Sequence, residues 1–197
     1  MAQFATAGEL AARLGITLTT SEETRAGSLL TLASGLIQKE AKQRIERVAS
    51  DTLARRGTEL ARIRLPERPV ESVTSVTLDG VLIPATDYYL DGDELVREMV
   101  SAEFAGVPSG GWGHSGEPLV IVYTHGYAII PDAIAAVSLE AVVRAWVNPG
   151  SVMSERYGSE QVAFLQGGTP HGLLLTTAEQ RVIRETLRTL NGTVQLR

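Results

Sequence analysis

The chain has 197 residues, of which 44% are hydrophobic and 21% charged, an ordinary balance for a globular protein that buries a core of its own. It contains no cysteine, which excludes thiol catalysis, disulfides, thiolate zinc sites and iron–sulfur clusters. With 18 basic and 23 acidic residues its net charge is −5, unlike the overall electrostatic footprint of a DNA-grasping protein, and no apolar run is long enough for a membrane-spanning helix.

The opening segment, MAQFATAGELAARLG, lacks a basic stretch followed by an apolar one. It does not read as a signal peptide, so the chain is expected to be made and kept in a cytoplasm. Thr6 and Glu9 stand at capping-box spacing and open a short helix that ends near Leu14, with Gly15 as the residue just past the stop. A second box is read at Thr20 and Glu23. Its helix carries Ala26, Leu29, Leu30, Ala33, Leu36 and Ile37 on a 3.6-residue stripe. Two strand candidates follow, Ile45–Ala49 and Leu60–Leu65, both crowded with arginine. The period then changes to two. Val73–Leu78 alternates, Asp79-Gly80 turns the chain, and Val81–Ile83 returns it, a strong hairpin signal. A second hairpin is read from Tyr88-Tyr89-Leu90 through Asp91-Gly92-Asp93 to Glu94–Arg97, and Leu119–Thr124 reads as a strand.

Pro131 starts a third helix with Ile134, Val137, Ala141, Val142, Ala145 and Trp146 on its apolar face, halted by Asn148-Pro149-Gly150. Val162–Leu165 reads as a short strand. The last helix starts with a box at Thr176 and Glu179, places Val182, Ile183, Leu187 and Leu190 on one face, and stops at Asn191-Gly192. Strands gathered between helices indicate an α+β fold: four helices (two N-terminal, one central, one C-terminal), with an antiparallel meander or hairpin region between the second and third. A single domain is expected, with a helical core at 1–40 and 131–191, a β-rich insertion at 45–124 and a tail at 192–197.

The search for chemistry is short. The loop Ser109–Gly116 (SGGWGHSG) lacks the Lys-Ser/Thr of a phosphate loop and reads as a surface loop. His114, His125 and His171 have no partner ligand at helical spacing, so no metal site is expected. His125, at the end of its strand, reads as a residue that hydrogen-bonds a turn. No serine sits in a Gly-x-Ser-x-Gly elbow. Asp91 and Asp93 are explained by the hairpin turn that holds them. No catalytic residue and no cofactor are assigned.

Charge is uneven. Lys39–Arg68 holds nine basic and five acidic residues, a local +4, which leaves −9 for the rest of the chain. The segment has no aromatic residue on which bases stack, so it reads as a solvated or subunit-facing surface more readily than as a nucleic-acid site. Gly150–Gly172, with little helical signal, is a second candidate contact segment.

Four pieces in order carry a resemblance: TAGELAARLGITLTTSEETRAGSLLTLASGLI, LPERPVESVTSVTLDGVLIPATDYYLDG, LVIVYTHGYAIIPDAIAAVSLEAVVRAWVNP, and SERYGSEQVAF followed by GLLLTTAEQRVIRETLR. Together they span most of the chain, and the ordered set resembles the head-to-tail adaptor (connector) proteins of long-tailed bacteriophages, of the type found in actinobacterial phages. The sequence departs from that family between Lys39 and Arg62, where it is richer in arginine.

The resemblance implies a structural virion protein and no enzyme. It implies a homo-oligomeric ring of twelve subunits beneath the portal, extending the DNA channel and receiving the stopper, or head-closure protein. Genomic double-stranded DNA would pass through the lumen without sequence-specific binding, and no membrane is involved. The expected location is the virion neck, with the host cytoplasm during assembly. The resemblance also implies that Val194, Gln195, Leu196 and Arg197 dock on the portal. Arg55, Arg56, Arg62, Tyr157 and Phe164 are the residues expected at the subunit interface. The readings kept beside it are another neck component (a stopper or tail terminator), a small hydrolase or carbohydrate-active accessory domain, and a DNA-packaging accessory that binds duplex through 39–68.

Overall fold

The computed structural model describes residues 3–97, 111–113, 116–147, 154–157, 160–163 and 173–190. In chain order the elements are α1 (Ala7–Leu14), α2 (Thr20–Ala41), β1 (Val48–Arg56), β2 (Arg62–Arg64), β3 (Val70–Leu78), β4 (Val81–Ile83), β5 (Tyr88–Asp91), β6 (Glu94–Arg97), β7 (Pro118–His125), α3 (Asp132–Val147), β8 (Ser154–Tyr157), β9 (Glu160–Ala163) and α4 (Thr177–Leu190). The fold is α+β, with the main antiparallel strands between α2 and α3 as their spacing predicts. The chain divides into two compact units, one of Met1–Lys42 with Ile130–Leu190, the other containing Gln43–Ile129.

The first unit is helical. Glu9 closes its box on Thr6, and Gly15 takes the left-handed conformation (φ 68°), which turns its N–H back onto the carbonyls of Ala11 and Ala12. The α2 box falls one residue earlier than the sequence reading: the Glu22 carboxylate accepts the Thr19 N–H at 2.8 Å and its hydroxyl at 2.7 Å. The run Thr19-Thr20-Ser21-Glu22-Glu23 offers both registers, and the chain uses the first. Ala26, Leu30, Ala33 and Ile37 are fully buried, while Leu29 and Leu36 lie half-buried beside them. Ser34 joins the buried stripe because its hydroxyl donates to the Leu30 carbonyl (2.8 Å) and accepts the Phe4 N–H (3.0 Å).

Pro131 starts α3 by offering its carbonyl to the Ile134 and Ala135 N–H groups. Ile134, Val137, Ala141 and Val142 are buried, and Ala145 and Trp146 are half-buried. The proposed stop at 148–150 lies outside the described residues. The Thr176–Glu179 box of α4 forms, and Ile183 and Leu187 face the core. Val182 does not: it is 40% exposed, because the buried positions step by four from Ile183 and leave their neighbour on the shoulder. The Val162–Leu165 reading overlaps β9 at Val162 and Ala163; β9 begins earlier, at Glu160, and pairs with β8, and residues 164–165 lie outside the described residues.

The second unit holds two sheets. One has the order β1-β7-β3-β4 and the other β2-β6-β5, every pairing antiparallel. Asp79 and Gly80 both have positive φ (49° and 79°), as a two-residue primed turn requires. The Tyr88–Arg97 hairpin forms, but its turn is shorter than read: Asp91 pairs with Glu94 as part of β5, which leaves Gly92 and Asp93 between the strands. The Ile45–Ala49 reading needs correction: the strand begins at Val48 and runs on to Arg56, with a bulge at Ser50 (φ 54°). An edge strand is exposed on much of its surface, so Asp51–Arg56 lacks the strong alternation of a buried strand. Likewise Leu60–Leu65 contains only the three-residue β2.

The glycine-rich segment also departs from expectation. Its described part is not a surface loop, because Trp112 is fully buried in the core of this unit with Ile63, Leu65, Val76, Leu95, Leu119, Ile121 and Tyr123. The glycine beside it is there for close approach: a Cβ on Gly111 would lie 2.4 Å from the Glu59 carbonyl oxygen.

Candidate interface surfaces

Three of the nine basic residues of this segment are answered by carboxylates within their own unit. Arg47 forks onto Glu71 (2.6 and 2.9 Å), Arg62 reaches Asp91 (2.9 Å) and Glu94 (3.1 Å), and Arg68 faces Asp93 at 3.6 Å. The hydrogen bond from Arg47 holds the Glu71 carboxyl below its ordinary range. The carboxylates of 71–94 therefore offset much of the local surplus that the linear sequence suggests. Asp91 and Asp93 do more than shape a turn, since each takes an arginine.

Arg55 and Arg56 are different. Both are exposed at the end of β1 and neither has an ion pair among the described residues. Arg62 stands on β2 with its charge committed to two carboxylates. Tyr157 ends β8, on the same hairpin as β9 but away from the β1 edge in sequence. Phe164 and Val194, Gln195, Leu196 and Arg197 lie outside the described residues, as do His114 and His171.

The corner where β1 leaves β7 contains the one buried histidine pair among the described residues. His125 is fully buried, its Nε2 lies 3.0 Å from Asp51 Oδ2, and its Nδ1 has no partner among the described residues. The hydrogen bond from His125 lowers the Asp51 carboxyl, against the opposing effect of burial. Tyr123 packs beside the ring, and burial pushes its phenol up to about 12. His125 is the last residue of β7 and ties that strand to β1 through Asp51, a contact between strands where the sequence suggested a hydrogen bond to a turn. No group of three His, Asp or Glu among the described residues is placed to hold a metal ion, and no helix there is long and apolar enough to cross a membrane.

The four-stranded sheet presents an outer face almost without charge. Thr52, Ala54, Ser75, Thr77, Leu82, Val120 and Val122 occupy it, all exposed or half-buried. Among the described residues both of its outermost strands, β1 and β4, have an unpaired edge, and Val81 and Leu82 on β4 are 66% and 65% exposed. These edges are what sequence reasoning missed. The Asp79-Gly80 turn marks β4, but only the β1–β7 pairing reveals that β1 is the opposite edge.

No family model matches the sequence, and no curated protein matches it. In three dimensions the chain is similar to a chain of the virion of a native gene transfer agent (GTA) particle, with 18% identity and a TM-score of 0.53 over 90% of this chain and 86% of that one. It is also similar to a chain in the neck of an empty GTA particle computed with C6 symmetry, with 17% identity and a TM-score of 0.52 over the same shares, 90% and 86%. At that identity the likeness establishes a shared fold.

Proposed function

We propose that this protein is a structural component of the neck of a phage-like particle, and more narrowly a head-to-tail adaptor. In this reading it forms a twelve-copy ring, binds the portal through residues 194–197, extends the DNA channel and receives the stopper. The observation that carries the reading is the fold shared along 90% of the chain with a virion chain and a neck chain of GTA particles. The ordered motifs of an adaptor in the sequence point the same way. The net charge of −5 suits a channel: DNA affinity grows with the number of phosphates neutralised, so an acidic surplus lets the duplex slide.

A ring requires heterologous contacts between two different faces of each copy. Arg55 and Arg56, exposed and without an internal ion pair among the described residues, belong to one such face. Electron microscopy of the purified protein, alone and with portal, tests the reading: rings are expected, and a protein that stays monomeric beside portal overturns it. Replacing both arginines by glutamate is expected to lower ring yield about tenfold, from an interfacial charge effect of roughly 1–2 kcal/mol. Undiminished rings would remove the two residues from the interface. Deleting 193–197 is expected to leave the folded chain able to form rings but unable to join portal-bearing heads. Normal joining would reject the tail as the portal contact.

A further inference from the structure

The two edges of the four-stranded sheet, unpaired among the described residues, match each other. Residues Ala54, Val120, Thr77 and Leu82 form one row across β1, β7, β3 and β4. The Gly57 N–H donates to the Glu117 carbonyl of the strand next door (2.8 Å), so the alternating backbone groups of Thr52, Ala54 and Arg56 point away from β7. In agreement, the Thr52 N–H is taken by the Asp51 side chain at 2.8 Å, outside the ladder. On the other side, the Asp79 N–H donates to the Pro118 carbonyl (2.8 Å), which turns Thr77 toward β7 and makes Thr77 and Leu82 a non-hydrogen-bonded pair. The N–H and C=O of Leu82 therefore point outward too. Ala54 and Leu82 offer free backbone groups in the same row, at opposite edges, on the same face.

We propose that the sheet continues from one copy of this chain to the next, β1 of one pairing antiparallel with β4 of its neighbour, Ala54 opposite Leu82. The inference deepens the ring reading and rests on it. Direction fits: β1, β7, β3 and β4 alternate, so β4 of an equally oriented neighbour runs antiparallel to β1. The row pattern fits, because a hydrogen-bonded Ala54–Leu82 pair follows the non-bonded Thr77–Leu82 pair in the required alternation. Charge fits as well. Arg56 and Asp79 are both exposed and without an ion pair among the described residues, and in this register Arg56 falls opposite Gly80, beside Asp79 in the neighbour's turn. A long open edge is a hazard that natural proteins blunt or cover, and among the described residues only Asp51 blunts β1 between the Ser50 bulge and Arg55. Joining unlike edges makes a head-to-tail contact, the kind that closes into rings.

The chain has no cysteine, so a cysteine pair reports directly. Within one copy Ala54 and Leu82 are three strand spacings apart, about 14 Å, too far for a disulfide. The double variant A54C/L82C, oxidised after assembly, is expected to run as a ladder of covalent multimers on a non-reducing gel, whereas A54C or L82C alone gives nothing above dimer. As a second variant, A54P removes an N–H that serves no intrachain ladder, a place where an edge strand tolerates proline. It is expected to keep the thermal midpoint of the folded chain and lose rings. Rings seen by microscopy without the ladder, or rings undiminished in folded A54P, overturn the sheet junction and leave the adaptor reading standing. A wild-type chain that forms no rings with or without portal overturns both.

Discussion

Replacing Trp112 by alanine is expected to destabilise the strand-rich unit by about 3–5 kcal/mol, the range for emptying a buried tryptophan site. The side chain is fully buried, and its Nε1 donates to the Ala61 carbonyl at 2.9 Å. The Tyr88 ring lies 6.0 Å away, and the Arg97 guanidinium stands over the indole at 5.8 Å while donating to the Gly111 carbonyl at 2.7 Å. Alanine removes the contacts with both sheets at once and takes one of two donors from the Ala61 carbonyl, which keeps the Arg97 N–H at 2.9 Å. Phenylalanine at the same position keeps most of the apolar area and loses only that one hydrogen bond, so it is expected to cost about 0.5–1.5 kcal/mol. Urea unfolding followed by circular dichroism checks both. An alanine variant within about 1 kcal/mol of wild type, close to the scale of a surface substitution, would mean that the indole is not a keystone of this core.

In the helical unit the largest single effect is expected at Glu179. Its side chain is only 12% exposed and takes both Arg144 terminal nitrogens, at 2.7 and 2.9 Å, together with the Thr176 N–H at 2.7 Å. One carboxylate thus caps α4 and joins it to α3. Glu179→Ala is expected to cost about 3 kcal/mol, since it removes a cap and strands a half-buried guanidinium whose remaining described partner is the Leu174 carbonyl. Burial by itself would raise the carboxyl, but the Arg144 guanidinium and the Thr176 N–H and hydroxyl outweigh it and hold the group below its ordinary value. The sign follows: on acidification the unfolded chain takes up this proton first. The stabilisation is therefore complete above the unfolded carboxyl pKa of about 4.3 and is lost as pH falls through the lower folded value. The stability gap between wild type and Glu179→Gln is expected to narrow between pH 7 and pH 3. A constant gap would assign the effect to packing.

Elements whose signal is local were legible in the sequence. The boxes at Thr6 and Thr176, the left-handed Gly15 and the Asp79-Gly80 turn each need only neighbours in sequence to form. The Thr19 box was off by one because two registers with the same chemistry overlap, and no local term separates them. Trp112 was hidden for the opposite reason. Its surroundings are glycines, which suggest a loop, and its burial depends on Glu59–Ala61, some fifty residues away in sequence. The ion pairs of Arg47, Arg62 and Arg68 were illegible for a related reason: their carboxylates, Glu71, Asp91, Asp93 and Glu94, lie downstream and become partners only through the hairpins. The β1 edge was illegible because an edge is defined by what does not pair with it.

The clasp at the base of the strand-rich unit has a consequence for how such a chain diversifies. Arg47 donates its N–H to the Tyr127 carbonyl (3.0 Å) and Tyr127 donates back to Ile45 (2.8 Å), so the outgoing and returning backbones are tied together at the base of this unit. The loops between them can change length without parting these two ends, because the ends are pinned to each other and loop-closure entropy grows only logarithmically with length.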